Sequence, residues 1–202
     1  MTSEIMNFGK SLILREEVFG KMLIEFGSYN VNGSFSTFLD NYNPAEYVAI
    51  DLQECDHCKN GAWQANDPAA KHLAKPCVNR VMDTESALQE YGPESFDFVV
   101  STEMLEHVKD WKAAIRAMKH ILKPNGFLVL STRTPGFPLH NFPDDYWRFT
   151  LVDMERIFSD FDIHVLQAES LQGLFIKAKK PIDFVENNLN FNVHSMKFKA
   201  YL

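Results

Sequence analysis

Short apolar runs separated by polar, helix-compatible segments recur along the whole chain. The runs at 21–26, 47–51, 78–82, 96–101 and 127–132 are five or six residues long and bounded by turn residues. Runs of that length predict strands rather than helices, and their scarcity of charge predicts burial on both faces. Two later runs, at 162–167 and 174–178, predict a closing antiparallel hairpin. Between the strands, residues 34–41, 86–91, 104–108, 111–122 and 151–159 predict helices. In 111–122 the side chains of Ile115, Met118 and Leu122 fall on one face, as an amphipathic helix requires, and Pro124-Asn125-Gly126 ends it. Residues 3–19 mix apolar and charged positions and predict one helix, or two short ones, over a sheet edge. Alternation of strands with helices predicts an α/β fold: a Rossmann-like, doubly wound, mainly parallel seven-stranded sheet with a C-terminal antiparallel hairpin.

The 202 residues fit a single domain, long enough to bury roughly two thirds of the surface of its unfolded chain. Its core is expected at 21–178, with a helical cover at 1–20 and a tail at 181–202. A formal net charge of −7 leaves no basic footprint for gripping phosphates, so nucleic acid is not the expected partner; a small-molecule or glycan-precursor ligand is. No apolar run approaches the length of a membrane span and the N-terminus does not read as a secretory signal, so the expected location is the cytoplasm, away from membranes. The odd count of three cysteines fits a reducing compartment. Cys55-Asp56-His57-Cys58, with His72 and Cys77, has the ligand types of a zinc site, but a lone CxxC is weak, and free thiols in an irregular insertion at 53–76 are the plainer reading.

The informative positions are the strand ends. In a doubly wound sheet, ligands collect above the carboxyl ends of the strands near the point where strand order reverses. Glu25, Asp51, Asp83 and Ser101 all fall at such ends. Asp51, closing the second strand, is placed to accept hydrogen bonds from both hydroxyls of a ribose. Gly27 lets the backbone approach a ligand because no Cβ intervenes, and Gly33 gives the next turn the same freedom. A nicotinamide dinucleotide would use an acid where Asp51 stands, but Gly27-Ser28-Tyr29-Asn30-Val31-Asn32 lacks the G-x-G-x-x-G pattern that a pyrophosphate needs.

Four phrases carry a resemblance: Glu25-Phe26-Gly27-Ser28, Tyr47-Val48-Ala49-Ile50-Asp51, the stretch from Phe98 to Val108, and Leu122-Lys123-Pro124-Asn125-Gly126-Phe127-Leu128-Val129-Leu130. In order and spacing they resemble the class I S-adenosylmethionine-dependent methyltransferases over about 21–178, and Pro143-Asp144-Asp145-Tyr146-Trp147-Arg148-Phe149-Thr150 resembles the small bacterial and phage type 11 members. The resemblance implies S-adenosyl-L-methionine as cofactor. It implies that Glu25, with Gly27 and Ser28, orders the loop around the donor's methionine part, that Asp83 beside Thr84 receives the adenine amino group, and that Ser101 and Glu103 line the donor. Tyr29 and Val31 stand where the family's glycine-rich loop has glycines.

Methyl transfer from a sulfonium needs little beyond positioning and removal of the acceptor's proton. The loop at 135–146 is too long for a mere connector and offers His140, Asp145 and Tyr146 as catalytic candidates, with His140 as base and Tyr146 as a pocket wall. Arg148 is expected either to bind an acidic group of the acceptor or to pair with Asp144 or Asp145. Glu103, Glu106 and His107 fall at i, i+3 and i+4, one face of a helix. With His140 they resemble the divalent-cation site of the metal-assisted O-methyltransferases, although the same phrase occurs in relatives without metal and no ligand is assigned here. The expected reaction is methyl transfer to oxygen on a small-molecule or glycan-precursor acceptor. A non-catalytic binding or regulatory module on the same fold is the alternative.

Overall fold

The computed structural model describes residues 3–29, 35–54, 78–140, 144–169 and 172–196. Gly33, the insertion's Cys55, Cys58, His72 and Cys77, and residues 141–143 of the long loop lie outside them. The chain opens with α1 (Ser3–Ser11) and α2 (Arg15–Val18), then runs β1 (Met22–Phe26), α3 (Ser36–Asp40), β2 (Glu46–Asp51), β3 (Arg80–Val81), α4 (Thr84–Tyr91), β4 (Phe96–Thr102), a single 3-10 turn (Leu105–His107), α5 (Trp111–Ile121) and β5 (Leu122–Arg133). It continues with β6 (Trp147–Arg148), α6 (Leu151–Ile157), β7 (Asp162–Glu169), β8 (Gly173–Lys179) and β9 (His194–Ser195).

Seven strands form one sheet in the order β3-β2-β1-β4-β5-β8-β7. The first five are parallel; β8 runs antiparallel to both β5 and β7. Strand order therefore reverses between β1 and β4, and the expected hairpin closes the far edge. Alternate side chains of each strand enter opposite layers. Ile24, Phe26, Val99, Leu128 and Leu130 pack under Trp111, Ile115 and Met118 of α5, while Leu23, Phe98, Val100 and Val129 meet Met6 and Val18 of the N-terminal helices and Ile13 of the link between them. Those helices thus cover a face of the sheet rather than an edge.

Local signals explain the boundaries. Asp83 and Asp110 cap α4 and α5, accepting from the backbone N–H of Ser86 at 2.7 Å and of Ala113 at 3.1 Å, which satisfies orphan donors of the first turn. The expected strand at 78–82 shrinks to two residues at the sheet edge, Arg80–Val81, both exposed. Before Phe127, β5 is irregular: Leu122 pairs with Phe96 and Phe127 with Phe98, so the Pro124-Asn125-Gly126 segment bulges out of the ladder. The helix expected at 104–108 is only the 3-10 turn, because Glu103 has a left-handed backbone (φ 52°) and Asp110 starts a new helix. The tail folds back. Leu189 is buried, Asn187 Oδ1 accepts from Lys119 Nζ at 3.1 Å, and β9 pairs with β6 beside the long loop.

Candidate active site

The carboxyl ends of β1 and β2 bring two acids together. Glu25 is buried, its carboxylate accepts from the Tyr47 hydroxyl, and its pKa is pushed up to about 7, by burial first and further by the charge of Asp51. Asp51 accepts from the backbone N–H of Tyr29 at 3.0 Å and of Leu52 at 2.7 Å; burial raises its pKa and these bonds oppose the rise. Among the described residues neither acid has a basic partner in its bonding, and each charge disfavours ionisation of the other. Gly27 turns between them at φ 75°. A Cβ there would lie 2.6 Å from the Met104 side chain, so only glycine lets the loop after β1 close on the loop after β4. Ser28 donates from its hydroxyl to Ile50 O at 3.1 Å.

The remaining residues expected to hold the donor spread along the carboxyl ends of the parallel strands. Asp83 is exposed and held by its capping role, which lowers its pKa through the bond from Ser86; Thr84 follows as the first residue of α4. Ser101, at the end of β4, is buried with a hydroxyl that has no partner among the described residues. Glu103 reaches the Arg133 guanidinium at 2.7 Å.

Beside them lies a second cluster. Glu106 is wholly buried; one carboxylate oxygen accepts from Thr132 Oγ1 at 2.8 Å and the other has no partner among the described residues. Burial raises its pKa. His107 contacts the Asp144 carbonyl through Nδ1, and its ring meets that of His140 edge to face, centroids 4.8 Å apart. His140 Nδ1 lies 3.0 Å from Asp145 Oδ2. A carboxylate can only accept, so Nδ1 carries the proton and Nε2 is left as a free base. Burial, ahead of the opposing pull of Asp145, lowers the His140 pKa and keeps the ring neutral.

Asp145 is buried against Arg148, itself fully buried, with Arg148 Nη2 donating to Oδ2 at 2.6 Å. Desolvation is the largest influence and would raise its pKa, but the Arg148 bonds, the His140 backbone N–H and the neighbouring positive charges together outweigh it and lower the pKa. Both carboxylate oxygens are therefore engaged, by Arg148 and by His140. Tyr146 donates its hydroxyl to Asp144 Oδ2 at 2.8 Å.

Ligand atoms of Glu106, His107 and His140 lie within 4.8 Å of one another. Glu103 does not join them: its left-handed backbone takes it off the turn and toward Arg133, so the one-face reading of i, i+3 and i+4 fails. Arg133 and Thr132 were not singled out from sequence, although polar side chains closing an apolar strand were the available signal.

Residues 12–178 match the profile of a family described as a methyltransferase domain. The chain is 38% identical over 87 residues to the ubiquinone biosynthesis O-methyltransferase of Neisseria meningitidis serogroup C (strain 053442), a match covering 39% of this chain and 35% of that protein. It therefore spans about a third of the length of that curated relative. The fold is that of the Burkholderia thailandensis 1,6-didemethyltoxoflavin-N1-methyltransferase, crystallised with 1,6-didemethyltoxoflavin and S-adenosylhomocysteine (TM-score 0.65, 16% identity, 87% of this chain and 78% of that one). It is likewise that of an S-adenosylmethionine-dependent methyltransferase from Mesorhizobium loti (TM-score 0.58, 17% identity, 86% and 96% covered). With the strand order, the acid-lined rim and the family profile in agreement, the chain belongs to the class I S-adenosylmethionine-dependent methyltransferases.

Proposed function

We propose that the chain methylates a hydroxyl oxygen of a small-molecule or glycan-precursor acceptor by in-line displacement. The observation that carries this reading is His140, oriented through Nδ1 by the buried Asp145–Arg148 pair and left with a free Nε2 at the rim. A base held by a carboxylate that is itself fixed is the arrangement proton removal from a hydroxyl calls for. The matching relative's name, an O-methyltransferase, supports oxygen as the acceptor atom.

S-adenosylmethionine, when bound, supplies a methyl group already activated on a sulfonium sulfur. Asp51 would accept from the ribose hydroxyls of the bound donor, and Glu25, with Gly27 and Ser28, would order the loop around its methionine part. Asp83 and Thr84 sit where the adenine would end, while Ser101 and Glu103 line the wall between donor and acceptor. His140 takes the hydroxyl proton at Nε2, and Asp145 stabilises the imidazolium that results, as a positioning residue. Tyr146 walls the acceptor side.

A second reading has its own observation. Among the described residues Glu106 keeps one buried oxygen unpartnered while His107 and His140 both have Nδ1 engaged elsewhere, a donor set that fits a divalent cation held by one carboxylate and two imidazoles. Such an ion would lower the pKa of an acceptor hydroxyl.

Turnover with isotopically labelled S-adenosylmethionine and a panel of hydroxyl and amine acceptors, followed by mass spectrometry, tests both. The expected product carries the methyl on oxygen. His140→Ala should lower kcat about a hundredfold or more with donor affinity unchanged. Loss of activity with a chelator and its return with magnesium select the metal reading, whereas chelator-insensitive activity leaves His140 as base. Methylation at nitrogen, or full activity of His140→Ala, would defeat the proposal.

A further inference from the structure

Arg133 ends β5 as a buried cation whose bonding is incomplete. Its side chain is 6% exposed and Nη2 lies 2.7 Å from Glu103. One face of the guanidinium is covered by the Phe137 ring, with Cζ 3.9 Å from the centroid. Nε and Nη1 are buried and have no hydrogen-bond partner among the described residues. Buried donors are almost always satisfied, and an unpaired one costs stability that a fold retains only where something else completes the bond. The donors sit at the carboxyl end of a central strand, where ligands bind in this architecture.

The strand order indicates which ligand. Arg133 belongs to β5, and β4 lies between it and β1, so about 10 Å of sheet separates it from the acids expected on the donor side. It is instead tied to the acceptor side. Phe137, which stacks on Arg133, also meets the His140 ring with centroids 5.0 Å apart, so the base and the unpaired guanidinium border the same ring. Glu103 offsets the charge of Arg133 without using up its N–H groups, which leaves a donor site for an oxygen.

We propose that Arg133 binds a carboxylate or carbonyl oxygen of the acceptor, the same molecule whose hydroxyl faces His140. The acceptor is then a hydroxy acid or hydroxycarbonyl compound rather than a simple alcohol or phenol. The assignment rests on the methyl-transfer reading and is tested by binding alone.

Calorimetry on the full chain loaded with S-adenosylhomocysteine would compare 3,4-dihydroxybenzoate, 3,4-dihydroxybenzaldehyde and catechol, which share a ring and hydroxyls and differ in the extra oxygen. The benzoate or the aldehyde is expected to bind at least about tenfold more tightly than catechol, the scale of one hydrogen bond to a charged group. Whichever of the two does so identifies the oxygen as carboxylate or carbonyl. Arg133→Gln should remove the difference while leaving catechol and S-adenosylhomocysteine affinities as they were, and Arg133→Lys should restore part of any preference for the benzoate. Equal affinities of the wild type for all three probes, or binding of none, overturn the proposal without any variant having to fold. So does a loss of S-adenosylhomocysteine affinity in Arg133→Gln, which would move Arg133 to the donor. Failure of the wild type to bind S-adenosylhomocysteine would instead remove the methyl-transfer reading on which it rests.

Discussion

Glu25 couples the stability of the fold to pH. Its carboxyl group is buried beside Asp51 and titrates at about 7 in the fold, against 4.5 when exposed. Between those values the native state holds a proton that the unfolded chain has released, so stability is greatest below about 4.5, falls as pH rises toward about 7, and is level above it. The shift corresponds to about 3 kcal/mol. Denaturant unfolding of the wild type and Glu25→Gln across this range should show the fall in the former, with the difference between the two isolating Glu25; parallel curves would mean that the carboxylate is ionised throughout. Asp51 is less buried and is held by the backbone N–H groups of Tyr29, Leu52 and Gln53. Asp51→Ala is expected to weaken S-adenosylhomocysteine binding by roughly 1.5–3 kcal/mol with an unchanged melting temperature of the free protein, as calorimetry and thermal unfolding would register. At this scale the sequence marked Asp51 as a strand-end acid, since a carboxylate closing an apolar run is visible in one dimension. It did not reveal that Tyr47 holds Glu25, because strand register chooses that partner, and it left open whether Arg148 meets an acidic ligand or pairs with Asp144 or Asp145, which the fold decides for Asp145.

Among the elements, α5 was legible almost to the residue. Its apolar positions repeat at helical spacing and Asp110 caps it. One member of its buried face is a cation: Lys119 Nζ donates to Asp160 at 2.7 Å and to the Ile157 carbonyl at 2.6 Å, fastening α5 to the end of α6. Burial lowers its pKa even against the pull of Asp160. Removing one partner of a buried pair leaves the other charge uncompensated, at a cost of about 3–5 kcal/mol. Lys119→Met should therefore lower the melting temperature by about 10 °C in a chain of this size, and Lys119→Met with Asp160→Leu should recover part of it; an unchanged melting curve for the single variant would show that water compensates Asp160. The segment at 104–108 was misread for the opposite reason. Its periodicity is helical, but the left-handed backbone at Glu103 stops a helix from starting there, and such a conformation leaves no mark in hydrophobic spacing.

For the whole molecule, donor binding and folding are linked. A ligand that binds only the folded chain stabilises it by mass action, by about 2.7 kcal/mol at a hundred times its dissociation constant. S-adenosylhomocysteine should therefore raise the melting temperature and Asp51→Ala should blunt the rise, whereas a shift with a nicotinamide dinucleotide and none with S-adenosylhomocysteine would contradict the donor assignment. No helix among the described residues is long and apolar enough to cross a membrane. The sequence by itself determined the alternation of strands and helices, the layered sheet, the closing hairpin and the acids at strand ends, because burial on both faces and turn chemistry are written in local pattern. Only the tertiary structure decided that the N-terminal helices cover a sheet face, that Glu103 leaves the Glu106–His107–His140 group for Arg133, and that the tail pairs with β6. These depend on contacts between residues far apart in the chain, where side-chain charge and burial, rather than periodicity, select the partner.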